Sequence, residues 1–199
     1  YQMNSNNENI LKHSPRHALD NQPKNDKKSV LREIISWILC ILTALVIALL
    51  LRTYVFEFVR VDGSSMKPTL VTDERLFVEK LTKLSSDGIK INEIVIVHYP
   101  DTGNKSYVKR VVGLPGDTIE VKHGVLIRNG VSVEESFTLD SLMDNDYPET
   151  TVPDNCYFVM GDNRNDSLDS RSVGPIDKGS IVGHAVFVIW PLWEMRMLG

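Results

Sequence analysis

An uninterrupted run of eighteen uncharged residues, 34–51, constrains this chain more than any other feature of its sequence. As an α-helix the run is roughly 27 Å long, close to the ~30 Å hydrocarbon core of a bilayer. A helix buried in a small protein would have one polar face, whereas this run is apolar all round. It is also longer than the apolar core of a cleaved secretory signal, and the residues that follow it, 52–56 (RTYVF), offer no small-x-small site. We therefore predict a retained transmembrane helix over 34–51.

Charge is distributed unevenly on the two sides of this run. Residues 1–33 hold six Lys and Arg against four Asp and Glu, and residues 52–199 hold sixteen against twenty-two. Because basic residues next to a span favour the cytoplasmic side, we predict that the N-terminus lies in the cytoplasm and that residues 52–199 lie outside it. The protein would cross the cell membrane once. The N-terminal part is rich in polar residues with few large apolar ones, which is typical of disorder. The predicted segments are a disordered cytoplasmic tail over 1–33, the anchor over 34–51 and an extracytoplasmic domain over 52–199.

The composition of 52–199 narrows the class of partner. A net charge of −6 in this segment argues against nucleic acid, which calls for a basic surface. The two cysteines cannot form a disulfide framework, since Cys40 lies in the apolar run and Cys156 lies in the predicted extracytoplasmic domain.

Beyond Arg52 the pattern changes from continuously apolar to alternating, with many aromatic and β-branched residues. Asn129-Gly130, between two short apolar runs, is a strong hairpin signal. No long helical period appears after residue 52. We predict a mainly β protein: a compact all-β domain, barrel-like or sandwich-like, preceded by one transmembrane helix. The predicted strands lie within 54–61, 76–78, 94–97, 108–112, 119–121, 125–127, 131–133, 157–159 and 185–190.

Three aromatic residues at the start of the domain, Tyr54, Phe56 and Phe58, alternate along a predicted strand and therefore face one side. Two interpretations are open. The rings could lie in the membrane interface, where amphipathic aromatic side chains collect, or they could pack in the core.

Two residues are candidates for catalysis. Ser65 lies in a Gly/Ser turn ended by Pro68, a place suited to presenting a hydroxyl, but a serine becomes nucleophilic only beside a base. Lys109 lies in an apolar run, and burial lowers a lysine pKa from its free value near 10.4 towards neutrality. No Gly-x-Ser-x-Gly motif surrounds Ser65, which weakens a serine-histidine hydrolase. The histidines after the span each fit an ordinary solvated or hydrogen-bonded role: His98, His123 and His184.

A polar loop over 160–171 follows an apolar strand and can order itself through side-chain hydrogen bonds and an Asp169–Arg171 ion pair. Calcium binding is the rival interpretation. The EF-hand pattern fails, because Arg164 stands where a ligand is needed and Asp166 is not followed by glycine. We predict no metal and no cofactor.

Three blocks of the sequence together resemble the type I signal peptidases of the bacterial and organellar kind, which use a serine-lysine dyad. The resemblance covers roughly residues 34–190, and the branch of the endoplasmic reticulum is similar but has a histidine where this chain has Lys109. The blocks are 63–70 (GSSMKPTL), 107–117 (YVKRVVGLPGD), and 160–164 (MGDNR) with Ser167, Asp169, Ser170 and Arg171.

The resemblance implies a role for each matching residue. Ser65 would be the nucleophile and Lys109 the general base, acting in both acylation and deacylation. Ser167 would orient the lysine amine by hydrogen bonding, and Asp169 with Arg171 would hold that loop in place.

The resemblance also implies a substrate and an oxyanion site. The family cleaves signal peptides from secretory preproteins after small-x-small sequences, at a bilayer surface. The backbone N–H of Ser65 is the expected oxyanion donor, while Gly63 stands where some members have a second, hydroxyl donor. An extended peptide would pair with strand edges near 59–61 and 106–108. We expect a monomer in a bacterial membrane, with shallow substrate pockets formed by Val61, Met66, Leu70, Tyr107 and Val108.

Three other classes compete with this interpretation. Ser64-x-x-Lys67 matches the penicillin-binding motif, but Pro68 disfavours the helix that this motif needs, and no Lys-Thr-Gly follows. A self-cleaving repressor shares the serine-lysine chemistry but would need a DNA-binding domain in place of the span. A membrane-anchored binding module without activity would not need the full set of dyad and supporting residues.

Overall fold

The computed structural model describes residues 27–82, 88–99, 103, 105–140 and 142–198. Its first element is helix α1, Lys27–Tyr54. Within the described chain, this is the helix that is long and apolar enough to cross a membrane, over 30–54. The helix is longer than the predicted span of 34–51 at both ends. The predicted bounds were set by the nearest charged residues. Charged residues can belong to a helix, which ends only where its backbone hydrogen bonding stops.

The helical residues 27–33 correct part of the predicted tail. These residues were expected to be disordered because they are polar, yet they continue the hydrogen-bonded backbone of α1. Residues 1–26, the rest of the predicted tail, lie outside the described chain.

Most of the regular secondary structure in the compact unit over 46–199 consists of antiparallel strands, which confirms the predicted mainly β fold. One sheet has the strand order β1-β2-β11-β3-β4-β9-β10, with β12 paired to β11, and a smaller sheet has the order β7-β6-β5-β8. The strands are β1 Phe56–Arg60, β2 Arg75–Glu79, β3 Ile94–His98, β4 Ser106–Gly113, β5 Thr118–Lys122, β6 Val125–Arg128, β7 Val131–Ser132, β8 Tyr147–Thr151, β9 Cys156–Met160, β10 Ile176–Asp177, β11 Ile181–Trp190 and β12 Arg196–Met197. A single turn of helix, α2, covers Ser170–Val173.

Residues with positive φ make the tight turns of the smaller sheet. Asn129 and Gly130 have φ of 53° and 76° between β6 and β7, so the predicted hairpin is confirmed. His123 and Gly124 make a second such turn, with φ of 51° and 77°, between β5 and β6. Two successive positive φ angles match the twist of the flanking strands, which is why Asn-Gly is favoured there.

The core is divided into three apolar clusters. The first cluster includes Val61, Met66 and Leu70, which come from the loop between β1 and β2. This loop also contains Ser65. Its apolar residues therefore hold the segment of Ser65 against the larger sheet.

The aromatic residues near the end of α1 do not enter the core. Phe58 is 58% exposed and Tyr54 is also exposed, so core packing is wrong for these two residues. Phe56, Phe58 and Phe77 form a cluster with ring centroids 5.6–5.9 Å apart. Phe58, Phe77, Phe187 and Met197 are also consecutive partners across four neighbouring strands. Insertion of these side chains into lipid stays a prediction.

Candidate active site

The side chains of Ser65 and Lys109 meet although 44 residues separate them. Ser65 follows β1 in a loop, and Lys109 lies in the middle of β4. The distance between Lys109 Nζ and Ser65 Oγ is 2.7 Å, with the ammonium donating to the hydroxyl. Ser65 is half-buried and Lys109 is only 1% exposed. The arrangement provides an amine beside a hydroxyl, as base-assisted nucleophilic attack requires.

Burial changes the acid-base chemistry of Lys109. Desolvation of the ammonium is the largest effect and lowers the pKa from 10.5 to about 8. The carboxylates of Asp169 and Asp162 oppose this effect, while the positive charge of Arg171 adds to it. The amine is therefore partly neutral near pH 7, whereas a solvated lysine is almost fully charged.

The loop 61–70 is shaped by its own backbone hydrogen bonds. The N–H of Lys67 donates to Ser64 O at 3.0 Å, and the N–H of Leu70 donates to Met66 O at 2.9 Å. Gly63 has φ of 100°, a conformation that side chains with a Cβ rarely adopt, so the chain can turn there from β1 into this loop. Since Gly63 has no side chain, it supplies no hydroxyl to the site.

A second set of contacts connects the segments that contain Ser65 and Lys109. Arg110, next to Lys109, makes a bidentate ion pair with Asp162 at 2.8 and 2.7 Å, and both side chains are buried. Thr69, four residues after Ser65, donates from Oγ1 to Asp162 Oδ2 at 2.5 Å. Bidentate pairs between Arg and carboxylate restrict geometry as well as adding energy. Strand β4, the loop of Ser65 and the loop 160–171 are therefore joined at one carboxylate.

The predicted ion pair between Asp169 and Arg171 is present. Arg171 donates to the carboxylate of Asp169 at 2.9 and 2.8 Å, and the backbone N–H of Gly161 donates to it at 3.1 Å. The same carboxylate caps α2 by accepting from Arg171 N. Asp169 therefore fastens the two ends of the loop 160–171.

Ser167 does not make the hydrogen bond that the sequence analysis predicted. Its Oγ is buried and has no hydrogen-bond partner in the described part of the chain, while the Lys109 amine is bonded to Ser65. A Cβ built on Gly161 would be 2.3 Å from Ser167 Oγ and 2.4 Å from Ser65 O. Gly161 thus allows three segments to approach more closely than any larger residue would permit.

A groove of about 350 Å³ opens beside Ser65. Of the predicted substrate-binding residues, Val61, Met66, Tyr107 and Val108 line it. Leu70 does not line the groove, because its side chain is fully buried in the core cluster under the loop. The lining also contains charged residues that sequence analysis did not identify: Arg60, Asp62 and Lys105.

Two strand edges next to this groove are unpaired within the described chain. β1 is the outer strand of the larger sheet, and the first half of β4 pairs only with β3, since β9 joins β4 from Arg110 onwards. The edges predicted near 59–61 and 106–108 are therefore available to an extended peptide.

The segment between β7 and β8 contacts three charged residues next to the site, Arg110, Asp162 and Arg164. Glu135 makes a buried ion pair with Arg164, and the ring of Phe137 lies 3.9 Å from the Arg110 guanidinium. The backbone N–H of Leu139 donates to Asp162 O at 3.1 Å. Arg110 and Arg164 were visible within the motif blocks, but nothing in the local sequence marks Glu135 or Phe137 as their partners.

Comparisons with known proteins show which family this chain resembles. The family model described as signal peptidase, peptidase S26, matches residues 34–190. Signal peptidase I P of Bacillus subtilis subsp. natto is 43% identical over an alignment of 173 residues, and the alignment covers 82% of this chain and 92% of the relative. Signal peptidase I S of Bacillus subtilis (strain 168) is 40% identical over an alignment of 185 residues, which covers 87% of this chain and 98% of the relative.

Among solved structures, a crystal structure of a signal peptidase I from Enterococcus faecalis V583 matches with a TM-score of 0.44 and 30% identity. The match covers 51% of this chain and 100% of that one. The sequence matches extend over the anchor, the loop of Ser65, β4 and the loop 160–171. The chain therefore belongs to the signal peptidase family, peptidase S26.

Proposed function

We propose that this protein is a membrane-bound serine endopeptidase that removes N-terminal signal peptides from secreted precursors, using Ser65 and Lys109. The observation that carries the proposal is the 2.7 Å contact between the Ser65 hydroxyl and a buried lysine amine. Membership of the signal peptidase family supports the substrate class.

In acylation, the neutral amine of Lys109 takes the proton of the Ser65 hydroxyl as Oγ attacks the scissile carbonyl. The backbone N–H of Ser65 stabilises the oxyanion that forms. The C–N bond then breaks, and the Lys109 ammonium returns its proton to the leaving amine. The signal peptide stays bound to Ser65 as an ester, and the mature protein leaves.

In deacylation, Lys109 is neutral again and removes a proton from a water molecule that attacks the ester carbonyl. The second tetrahedral intermediate collapses, the proton returns to Ser65 Oγ, and the signal peptide leaves with a new carboxyl group. The same base thus serves both half-reactions.

The lowered pKa of Lys109 makes this chemistry possible near neutral pH. With a pKa of about 8, roughly one amine in ten is neutral at pH 7. An unperturbed lysine at 10.5 would be neutral in only about one molecule in 3,000. Burial of Lys109 therefore raises the fraction of active enzyme by a factor of roughly 300.

The groove supports cleavage after small-x-small sequences. An extended peptide paired with the free edges of β1 and β4 would direct alternate side chains into the space beside Ser65. Val61, Met66 and Val108 give this groove an apolar lining, which suits short apolar side chains such as alanine.

The anchor supports a place at the membrane. Helix α1 has the length and composition of a span, and basic residues precede it, which favours a cytoplasmic N-terminus and an extracytoplasmic domain. The Bacillus relatives support a bacterial membrane, and the monomeric state is part of the proposal. The cluster of Phe56, Phe58 and Phe77 directly follows the helix and is suited to the lipid interface.

The test uses the full chain purified in detergent with a secretory precursor. Ser65→Ala and Lys109→Ala should each reduce cleavage at least 1,000-fold, the order of loss seen when a dyad or triad member is removed. Ser132→Ala and Lys122→Ala, at exposed strand positions of the smaller sheet, are the matched controls and should cleave like the wild type. Wild-type cleavage by either dyad variant would refute the dyad. Failure of the wild type to cleave any precursor would favour a binding module.

A further inference from the structure

The two peptide units on either side of Ser65 are both fastened to Asn163. The backbone N–H of Asn163 donates to Ser65 O at 3.0 Å, and its side-chain Nδ2 donates to Ser64 O at 3.3 Å. The N–H of Lys67 donates to Ser64 O from within the loop at 3.0 Å. Asn163 is 7% exposed, so these bonds are largely shielded from water.

These bonds fix the direction of the Ser65 N–H. A trans peptide unit is planar, and its C=O and N–H point in opposite directions. Because Asn163 and Lys67 hold Ser64 O on the inner side of the loop, the N–H of the same peptide unit must point to the other side. That N–H donates to no acceptor in the described chain, and Ser65 itself lines the groove.

We infer that Asn163 is a positioning residue for the oxyanion donor, which it orients through the carbonyl of Ser64. This inference rests on the proposed peptidase function, and it concerns the Ser65 N–H alone, because Gly63 has no side chain that could supply a second donor. A hydrogen bond to the carbonyl also polarises the peptide unit, so its N–H becomes a stronger donor. Asn163 acts through Ser65 N–H and does not touch the substrate.

The neighbouring Asn165 offers a matched control. It is the same residue type in the same loop, but its amide faces away from Ser65. Its Nδ2 donates to Asp140 Oδ2 at 3.2 Å and to Leu142 O at 3.3 Å, and its Oδ1 accepts from Asp144 N at 2.9 Å. Loss of Asn165 should weaken the loop without changing the peptide unit of Ser65.

The experiment compares Asn163→Leu, Asn163→Ala and Asn165→Ala in the full chain in detergent. Leucine keeps the branched shape of asparagine but lacks the donor. The assays are kcat and KM for a precursor peptide, and the affinity for a peptide aldehyde against the matching uncleaved amide. Ser65 Oγ adds to the aldehyde carbon and its proton passes to Lys109 or to the carbonyl oxygen, so the tetrahedral oxygen of the hemiacetal occupies the oxyanion position, whereas the planar amide places no such oxygen there.

Loss of a complete oxyanion donor costs about 100-fold to 1,000-fold in kcat, so misorientation of the donor should cost roughly 10-fold to 100-fold. We expect both Asn163 variants to lose aldehyde affinity by the same factor as kcat. KM and amide affinity should stay within about twofold, since ground-state binding does not use this donor. The pH midpoint of the reaction should not move, and Asn165→Ala should behave like the wild type.

The inference is refuted if kcat and aldehyde affinity survive in Asn163→Leu, or if aldehyde and amide affinities fall together. It is also refuted if Asn165→Ala loses as much as the Asn163 variants. The ratio of aldehyde to amide affinity needs only a folded fraction, so partial unfolding of one variant leaves the test valid. If Ser65→Ala cleaves normally, the proposed function has failed, whereas an inactive Ser65→Ala with normal Asn163 variants refutes this inference alone.

Discussion

Replacement of Lys109 by methionine should abolish cleavage and also make the protein more stable at neutral pH. Lysine and methionine have similar apolar stems, so the variant removes the amine while the stem still fills its site. The buried ammonium is unfavourable in the folded chain, as its lowered pKa indicates, and methionine has no charge to desolvate.

The size of the effect follows from linkage between proton binding and folding. The pKa of Lys109 falls from 10.5 to about 8 on folding, and each tenfold change in the proton equilibrium is worth about 1.4 kcal/mol. Burial of the charged amine therefore lowers the free energy of unfolding by about 3 kcal/mol. The side chain is almost completely buried, so solvent screening reduces this cost little.

The sign follows from which state binds more protons. Between pH 8 and 10.5 the unfolded lysine is protonated and the folded one is not, so the free energy of unfolding increases as pH rises through this range. Below pH 8 both states are protonated and the full cost is present. The stability advantage of the methionine variant should therefore be constant below about pH 7 and should decrease by about 3 kcal/mol towards pH 11.

Urea unfolding in detergent, followed by tryptophan fluorescence at several pH values from 6 to 11, measures this difference. Other titrating groups are shared by both proteins, so they cancel. The lost bond to Ser65 Oγ adds only a constant of roughly 1 kcal/mol against the variant. Lys122→Met, at an exposed position in a strand, controls for loss of a lysine as such. A difference that stays the same across the whole pH range would refute the buried-amine reasoning.

The other predictions concern rate, close packing and the support of the site. The rate constant kcat/KM for a precursor peptide should rise with pH and level off above a midpoint near 8, where Lys109 becomes neutral; a profile that is flat from pH 6 to 10 would contradict this. Gly161→Ala should reduce kcat at least 10-fold in a peptide cleavage assay, because the new Cβ would lie 2.4 Å from Ser65 O and must displace it, and wild-type kcat would show that the loop can yield. Glu135→Gln should lower the free energy of unfolding by about 3 kcal/mol in urea titrations, since the Arg164 guanidinium is then buried without its counter-charge, whereas Glu134→Gln, at the exposed neighbour, should have almost no effect.

Much of the fold was predictable because its signals are local. The absence of charge over 34–51 indicates a span without reference to any other part of the chain, and alternation locates most of the long strands. The strand β8, Tyr147–Thr151, was not predicted. It contains Pro148 and few apolar residues, which an outer strand paired only with β5 tolerates. The two-residue strands β10 and β12 are too short for any periodicity.

The site was predictable only in part. Ser65 and Lys109 lie in recognisable blocks, but the sequence gives no distance between them, and the unpaired hydroxyl of Ser167 shows that a motif does not define each hydrogen bond. The position of Leu70 in the core, not in the groove, depends on which way the loop faces after it leaves β1. Contacts such as those of Asn163 with Ser64 arise from packing of segments about 100 residues apart, which local patterns cannot encode.

The connection among Arg110, Asp162 and Thr69 has a consequence for the middle of the reaction. In the proposed mechanism, Ser65 Oγ loses its proton when it is esterified, and the Lys109 amine must then be free to meet a water molecule. The neighbours of both residues still share one carboxylate at that stage, through bonds of 2.5–2.8 Å that the chemistry does not touch. Under this mechanism, the bonds among the neighbouring residues keep Ser65 and Lys109 at the same spacing while the ester is present, so their direct contact can form again when the ester is hydrolysed.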